Sequence, residues 1–218
     1  MVIWCKNMLK KIFLFFALAI LFPALCNAEL NLKTGVDILG KLNFMREGSG
    51  ISVNANTGFS FCGEYFIPVS QTMKIGAGTE YQLPRESSKM AQSIEVLGKI
   101  ESYYEFNYMP VYFSAQINAN KDYGLYFKGN LGYCILHDVA DNININNNSS
   151  KNIFIRNASG GLYFAVGGGY EFDSGIIIDI LYSYYSGSFD YGLEGYFTTK
   201  FESVYKKFGL NIGYKFKI

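Results

Sequence analysis

The chain has 218 residues, with 19 Lys and Arg against 18 Asp and Glu, a single His and a formal charge of +1. So even a balance offers nothing to attract nucleic acid, and one histidine cannot build a histidine metal cluster. Its 18 Tyr, 19 Phe and 23 Gly beside only 4 Pro suit strands and tight turns rather than helices.

Lys6, Lys10 and Lys11 precede the apolar run IFLFFALAILF, Ile12 to Phe22, and after Pro23 the segment ALCNA ends at Ala28 before Glu29. A basic start, a short greasy stretch and a small residue before a polar one have the shape of a Sec-type export signal. The run falls short of the roughly 20 apolar residues a spanning helix needs. Cleavage is expected after Ala28, giving a signal peptide, residues 1–28, and one domain, residues 29–218. Cys26 does not read as a lipoprotein site, because Pro23 and Leu25 stand where such signals carry a leucine and a small residue. MVIWCKN is foreign to a signal, which leaves Met8 as an alternative start. Cleavage removes three lysines and no acid, so the formal charge falls to about −2. Of the 4 cysteines only Cys62 and Cys134 stay, enough for one disulfide at most.

From Glu29 onward apolar residues alternate with polar or small ones, the period of a strand with two unlike faces. In ELNLKTGVDILGKLNFM the apolar row is Leu30, Leu32, Val36, Ile38, Leu42 and Phe44; the other holds Lys33, Asp37 and Lys41, with Leu39 its one aliphatic before Met45. After REGSG comes a second strand, with Ile51, Val53, Ala55, Phe59 and Phe61 on one face. MKIGAGTEYQL is a third, with Lys74 and Glu80 in its polar row. Between Gly98 and Ile117 the apolar row moves from Tyr104, Phe106 and Tyr108 to Val111, Phe113 and Ala115, which predicts a bulge near Met109 and Pro110. GLYFKGNLGYCIL, with Lys128, is the fifth strand, and GLYFAVGGGYEF, with Glu171, the sixth. After the DSG turn at Asp173 to Gly175 the seventh sets Ile176, Ile178 and Ile180 against Asp179. FGLNIGYKFKI, Phe208 to Ile218, closes the series with Lys215 in its polar row and Lys207 just before it. Short links follow strands two, four and six. Longer ones follow the others, the longest being about Leu136 to Ser159 and Ser186 to Ser203.

A water-soluble sandwich also alternates, but its polar face is its surface. Here the polar row is rich in Gly, Ser and Asn with isolated charges of both signs, and aromatics gather near strand ends. Small residues and pairable charges fit the inside of a narrow closed barrel, and aromatic ends fit interfacial girdles. The expected fold is all-β, an eight-stranded antiparallel up-and-down transmembrane β-barrel.

Asn211, Gly213, Phe216 and Ile218 form a pattern that resembles the C-terminal assembly signal of outer-membrane barrels, although most such chains end in an aromatic residue. The whole mature chain resembles the small eight-stranded family of the OmpA barrel, OmpX and the opacity proteins. The resemblance implies residence in the bacterial outer membrane, contact with lipid and lipopolysaccharide, and reading of the last strand by the barrel-assembly machinery.

Eight strands enclose a space that side chains can fill. The expected interior charge network is Lys33, Asp37, Lys41, Lys74, Glu80, Lys128, Glu171, Asp179, Lys207 and Lys215, paired because unpaired charge there is costly. Asp179 and Lys215 are the expected closest pair. A plugged anchor is the first reading and a narrow pore the second. Lipid A-modifying enzymes share this architecture and use a histidine near the outer interface, but His137 beside Asp138 reads as a solvated loop residue, and no enzyme activity or cofactor is expected. The Gly167–Gly169 run lies inside a strand and so is not a phosphate loop. Cys62, low on strand two, and Cys134, high on strand five, are too far apart for a disulfide. Recognition of a host or cell-surface ligand would fall to the outer loops, with Phe189, Tyr191, Tyr196 and Phe197 as candidate contacts.

Overall fold

The computed structural model describes residues 28–46, 49–86, 90–94, 98–119, 124–145, 153–193 and 197–218; the expected signal peptide lies outside them save Ala28. The strands are β1 (Glu29–Arg46), β2 (Ser49–Ala55), β3 (Phe59–Pro68), β4 (Met73–Gln82), β5 (Arg85–Glu86), β6 (Met90–Ile94), β7 (Gly98–Asn118), β8 (Leu125–Ile145), β9 (Ile153–Glu171), β10 (Ile176–Leu193) and β11 (Phe197–Lys217). Each pairs antiparallel with its neighbours, and β11 returns to pair with β1. β2 and β3 succeed one another along β1, as β4, β5 and β6 do along β7, so the eleven segments make eight staves of one closed wall. Closure of β11 onto β1 removes the two free edges that an open sheet of these staves would carry along its lower half.

Alternation places the greasy row outside. Phe113 is 71% exposed and Ile38 54%, whereas Lys128 is 4% exposed and Asp179 1%. A soluble protein would reverse those figures. An apolar exterior around a charged interior belongs in hydrocarbon, where a closed barrel meets the demand that every backbone group be paired.

Both termini and the short turns share one end, called lower here. Ile218 N–H donates to the Ala28 carbonyl at 2.8 Å, tying the chain ends together. The 172–175 turn closes with Gly175 N–H on the Phe172 carbonyl at 2.8 Å. Gly175 has φ +89°, a left-handed conformation that glycine adopts without steric cost.

Four local expectations are corrected. The β1 register shifts between Asp37 and Leu39, so the face alternation flips there. Leu39 is 66% exposed and Leu42 0%, which turns Lys41 outward and removes it from the interior set. Along the second stave residues 56–58 interrupt pairing, so Val53 is buried inside while Phe59 and Phe61 face out. Toward β8 the pairing runs through Met109 and Pro110 without a shift, and the inward face does not change there. Phe106, Tyr108, Tyr112 and Ser114 all face inward, and the register shift lies between Glu105 and Asn107. The interior row simply changes from polar to aromatic as β7 rises. Lastly, the two long outer links are largely strand, since β8 reaches Ile145, β9 starts at Ile153, and β10 and β11 pair as far as Leu193 and Phe197.

Candidate functional site

The interior is stacked in layers. At the lower mouth Lys74 Nζ lies 2.6 Å from Glu29 Oε2 and 3.1 Å from Glu171 Oε2, and Lys215 donates to Glu171. An open hollow of about 580 Å³ at this mouth is lined in part by Glu171, Lys215 and Tyr214. Two lysines meet two carboxylates, so the layer is neutral.

Above it Lys33 Nζ bridges Asp179 Oδ2 at 2.5 Å and Glu64 Oε2 at 2.7 Å, while Lys128 pairs with the other Glu64 oxygen. Tyr112 O–H donates to Glu64 at 2.9 Å, Tyr126 O–H to Asp179 at 3.2 Å, and Asn211 Nδ2 to the second Asp179 oxygen at 2.6 Å. Cys62 Sγ lies 3.1 Å from the Tyr112 hydroxyl. Such hydrogen-bonded pairing is what a buried charge requires. The expected Asp179–Lys215 pair is not formed, because Lys33 and Asn211 already hold Asp179 and Lys215 turns down to Glu171.

A third layer joins Lys207 Nζ to Glu80 at 2.6 Å and Asp37 at 3.0 Å. Tyr205 O–H donates to Asp37 at 2.8 Å and Tyr185 O–H to Glu80 at 3.0 Å. Those tyrosines begin an aromatic roof. Tyr108 stacks on Tyr205 at 6.1 Å between ring centroids, and Tyr163 packs on Tyr185 at 5.0 Å. Leu42, Phe44, Val53, Leu136 and Phe189 complete the buried apolar cluster above.

Nine of the ten residues expected to line the lumen are therefore there, and Lys41 is not. Glu29 and Glu64 were missed. Glu64 continues the row of Ser60 and Cys62 in FCGEYF, a periodicity legible once the strand is carried past Cys62. Phe189 is corrected as a candidate partner contact: it is 2% exposed, with its ring edge-on to Phe44 at 5.8 Å. Tyr191 and Phe197 lie on β10 and β11, and Tyr196 lies outside the described residues. His137 sits on β8 opposite Asn107. Cys62 and Cys134 are both free thiols.

The C-terminal pattern meets this interior directly. Along the β1–β11 seam the inward pairs are Lys33 with Gly213, Gly35 with Asn211, and Asp37 with Gly209. Each larger side chain faces a glycine. Phe216 and Ile218 are exposed on the outside at the lower rim.

Upward, the wall outgrows a bilayer. β7, β8 and β11 each have 21 residues and β9 has 19, whereas about 9 to 11 cross the hydrocarbon. β8 pairs with β9 only up to Cys134 and Gly161, and above that β8 pairs with β7 and β9 with β10.

No protein-family profile and no curated protein matches the sequence. Solved structures do match in shape. The outer membrane protein OprG from Pseudomonas aeruginosa is similar at TM-score 0.54 and 10% identity, over 88% of this chain and 97% of that one. The outer membrane protein AlkL, solved in lipid bilayers, matches at 0.50 and 17%, over 88% and 91%. Ail, the attachment invasion locus protein of Yersinia pestis, matches at 0.46 and 15%, over 87% and 99%. The chain has the fold of the small outer-membrane β-barrels.

Proposed function

We propose that this chain, exported with residues 1–28 as its signal, is an outer-membrane protein without catalysis. Its barrel is a sealed anchor, and its working surface is the extension above the membrane, which meets a ligand on a host or neighbouring cell. One observation carries the reading: strands of 18 to 21 residues rise well past the hydrocarbon on a lumen closed by three charge layers and an aromatic roof. A pore needs a continuous wet path, and Lys33, Glu64 and Tyr108 instead hold one another across the lumen or are buried at 0 to 6% exposure. A rigid wall that continues into the solvent is a scaffold for recognition.

Planar-bilayer recording and cell binding test the two halves. The mature chain is expected to give no steady conductance. Cells displaying it are expected to adhere to a target surface that cells displaying a form shortened between Val139 and Asn157 do not recognise. Stable single-channel steps would favour the narrow-pore reading instead, and unchanged adhesion by the shortened form would remove the recognition role.

A further inference from the structure

The slip in β1 has put a cation where the alternation predicts none. Lys41 faces outward, and its partner across the closing seam is Lys206 of β11, which also faces out between the buried Tyr205 and Lys207. Lys206 Nζ lies 5.9 Å from the Tyr184 ring on the next stave. Two lysines are thus direct cross-strand partners on the outside of the wall. Like charges directly opposite one another destabilise a sheet, yet among the described residues neither lysine joins an ion pair.

Their height is informative. A strand crosses the hydrocarbon in about 9 to 11 residues, and counted up from Glu29 on β1 and from Lys217 on β11 that distance ends near Leu39 and Lys207. Just below the lysines, Leu39 and Phe208 pair with one another and are 66% and 45% exposed, still lipid-facing. On other staves the outward positions near this height are Phe59, Tyr81, Leu83, Tyr133, Leu162 and Tyr184, none of them charged. The cationic pair is therefore local to the seam and level with the upper headgroups.

Two lysines paired across the seam can close on one anion from either side, and their two charges match a phosphate monoester, which carries about −1.5 to −2 at neutral pH, better than a phosphodiester with its single charge. We propose that Lys41 and Lys206 form a binding site for a phosphate monoester on a glycolipid headgroup of the outer leaflet, whose acyl chains lie along Leu39 and Phe208. This rests on the outer-membrane reading above. The bound phosphate cancels the repulsion across the strand pair that closes the barrel, so the lipid also clamps the seam.

The test uses the folded mature chain in detergent and native mass spectrometry with three probes: bisphosphorylated lipid A, the same lipid after phosphatase treatment, and phosphatidylglycerol. Retention of lipid A is expected to exceed that of the dephosphorylated lipid about thirtyfold, at about 1 kcal/mol per lysine near a charged surface. Lys41→Gln with Lys206→Gln should abolish the preference, and Lys41→Arg with Lys206→Arg should keep it. The heat-dependent gel shift of a folded barrel confirms that each variant is intact. Equal retention of the phosphatase-treated lipid, equal retention by the double Gln variant, or equal competition by phosphatidylglycerol would overturn the site while leaving the barrel's membrane residence untouched. Failure of the wild-type chain to insert into bilayers would remove the outer-membrane reading itself and the site with it.

Discussion

Lys33 of β1 faces Gly213 of β11 across the seam that closes the barrel, and a Cβ built on Gly213 would stand 2.5 Å from Lys33 Cγ. The glycine makes room for the stem of a lysine that ties Asp179 to Glu64. A slip of two residues would keep every side chain on its own face, so facial alternation alone does not forbid it. Such a slip would set Lys33 against Lys215 or Asn211 and stack glycine on glycine, and these inward pairs therefore select the register.

Substitution at this seam should show as a closure defect. Gly213→Val is expected to lower folded yield into lipid vesicles, with an overpacking cost of about 1 to 3 kcal/mol. Lys33→Ala in the same chain should recover part of that yield. The gel-shifted fraction measures both, and no recovery in the double variant would mean that the Leu32 backbone alone crowds the site.

Glu64 holds both Lys33 and Lys128 at 1% exposure. Glu64→Gln should destabilise the barrel by about 3 to 5 kcal/mol, because it leaves buried charge uncompensated. Adding Lys128→Met should return much of the loss by removing that charge. Urea titration of the four forms in vesicles gives the coupling, and additive losses would deny the pairing.

The thiols offer a check on orientation. Cys134 is fully buried and Cys62 faces the lumen beside Tyr112. In the folded mature chain neither should react with a bulky maleimide, whereas denaturant without reductant should expose two reactive thiols, counted by intact mass. A single adduct on the folded form would place one thiol outside the wall.

Phe189 packs between Phe44 and Phe201, at 5.8 and 6.0 Å between ring centroids. Phe189→Ala is expected to cost about 3 to 5 kcal/mol, as for other buried aromatics, and to speed proteolytic cutting of the upper extension. Surface binding should persist under conditions where that extension stays folded. Loss of binding with unchanged protease resistance would return Phe189 to the role of a contact residue.

The alternation of Leu32 with Lys33, Phe127 with Lys128 and Ile180 with Asp179 determined from the sequence alone that a charged interior sits within an apolar exterior, because a strand has period two whatever surrounds it. Aromatic and glycine content, the short turn at Gly175 and the closing pattern around Gly213 were likewise local properties. Only the tertiary structure decided where that period slips and which charges meet. The shift after Asp37 moved Lys41 to the outside, the break before Phe59 turned Val53 into the lumen, and Lys33 reached Asp179 across 146 positions of sequence. Bulges and cross-lumen pairs depend on the stagger of staves around a closed wall, a geometry that exists only once β11 has met β1.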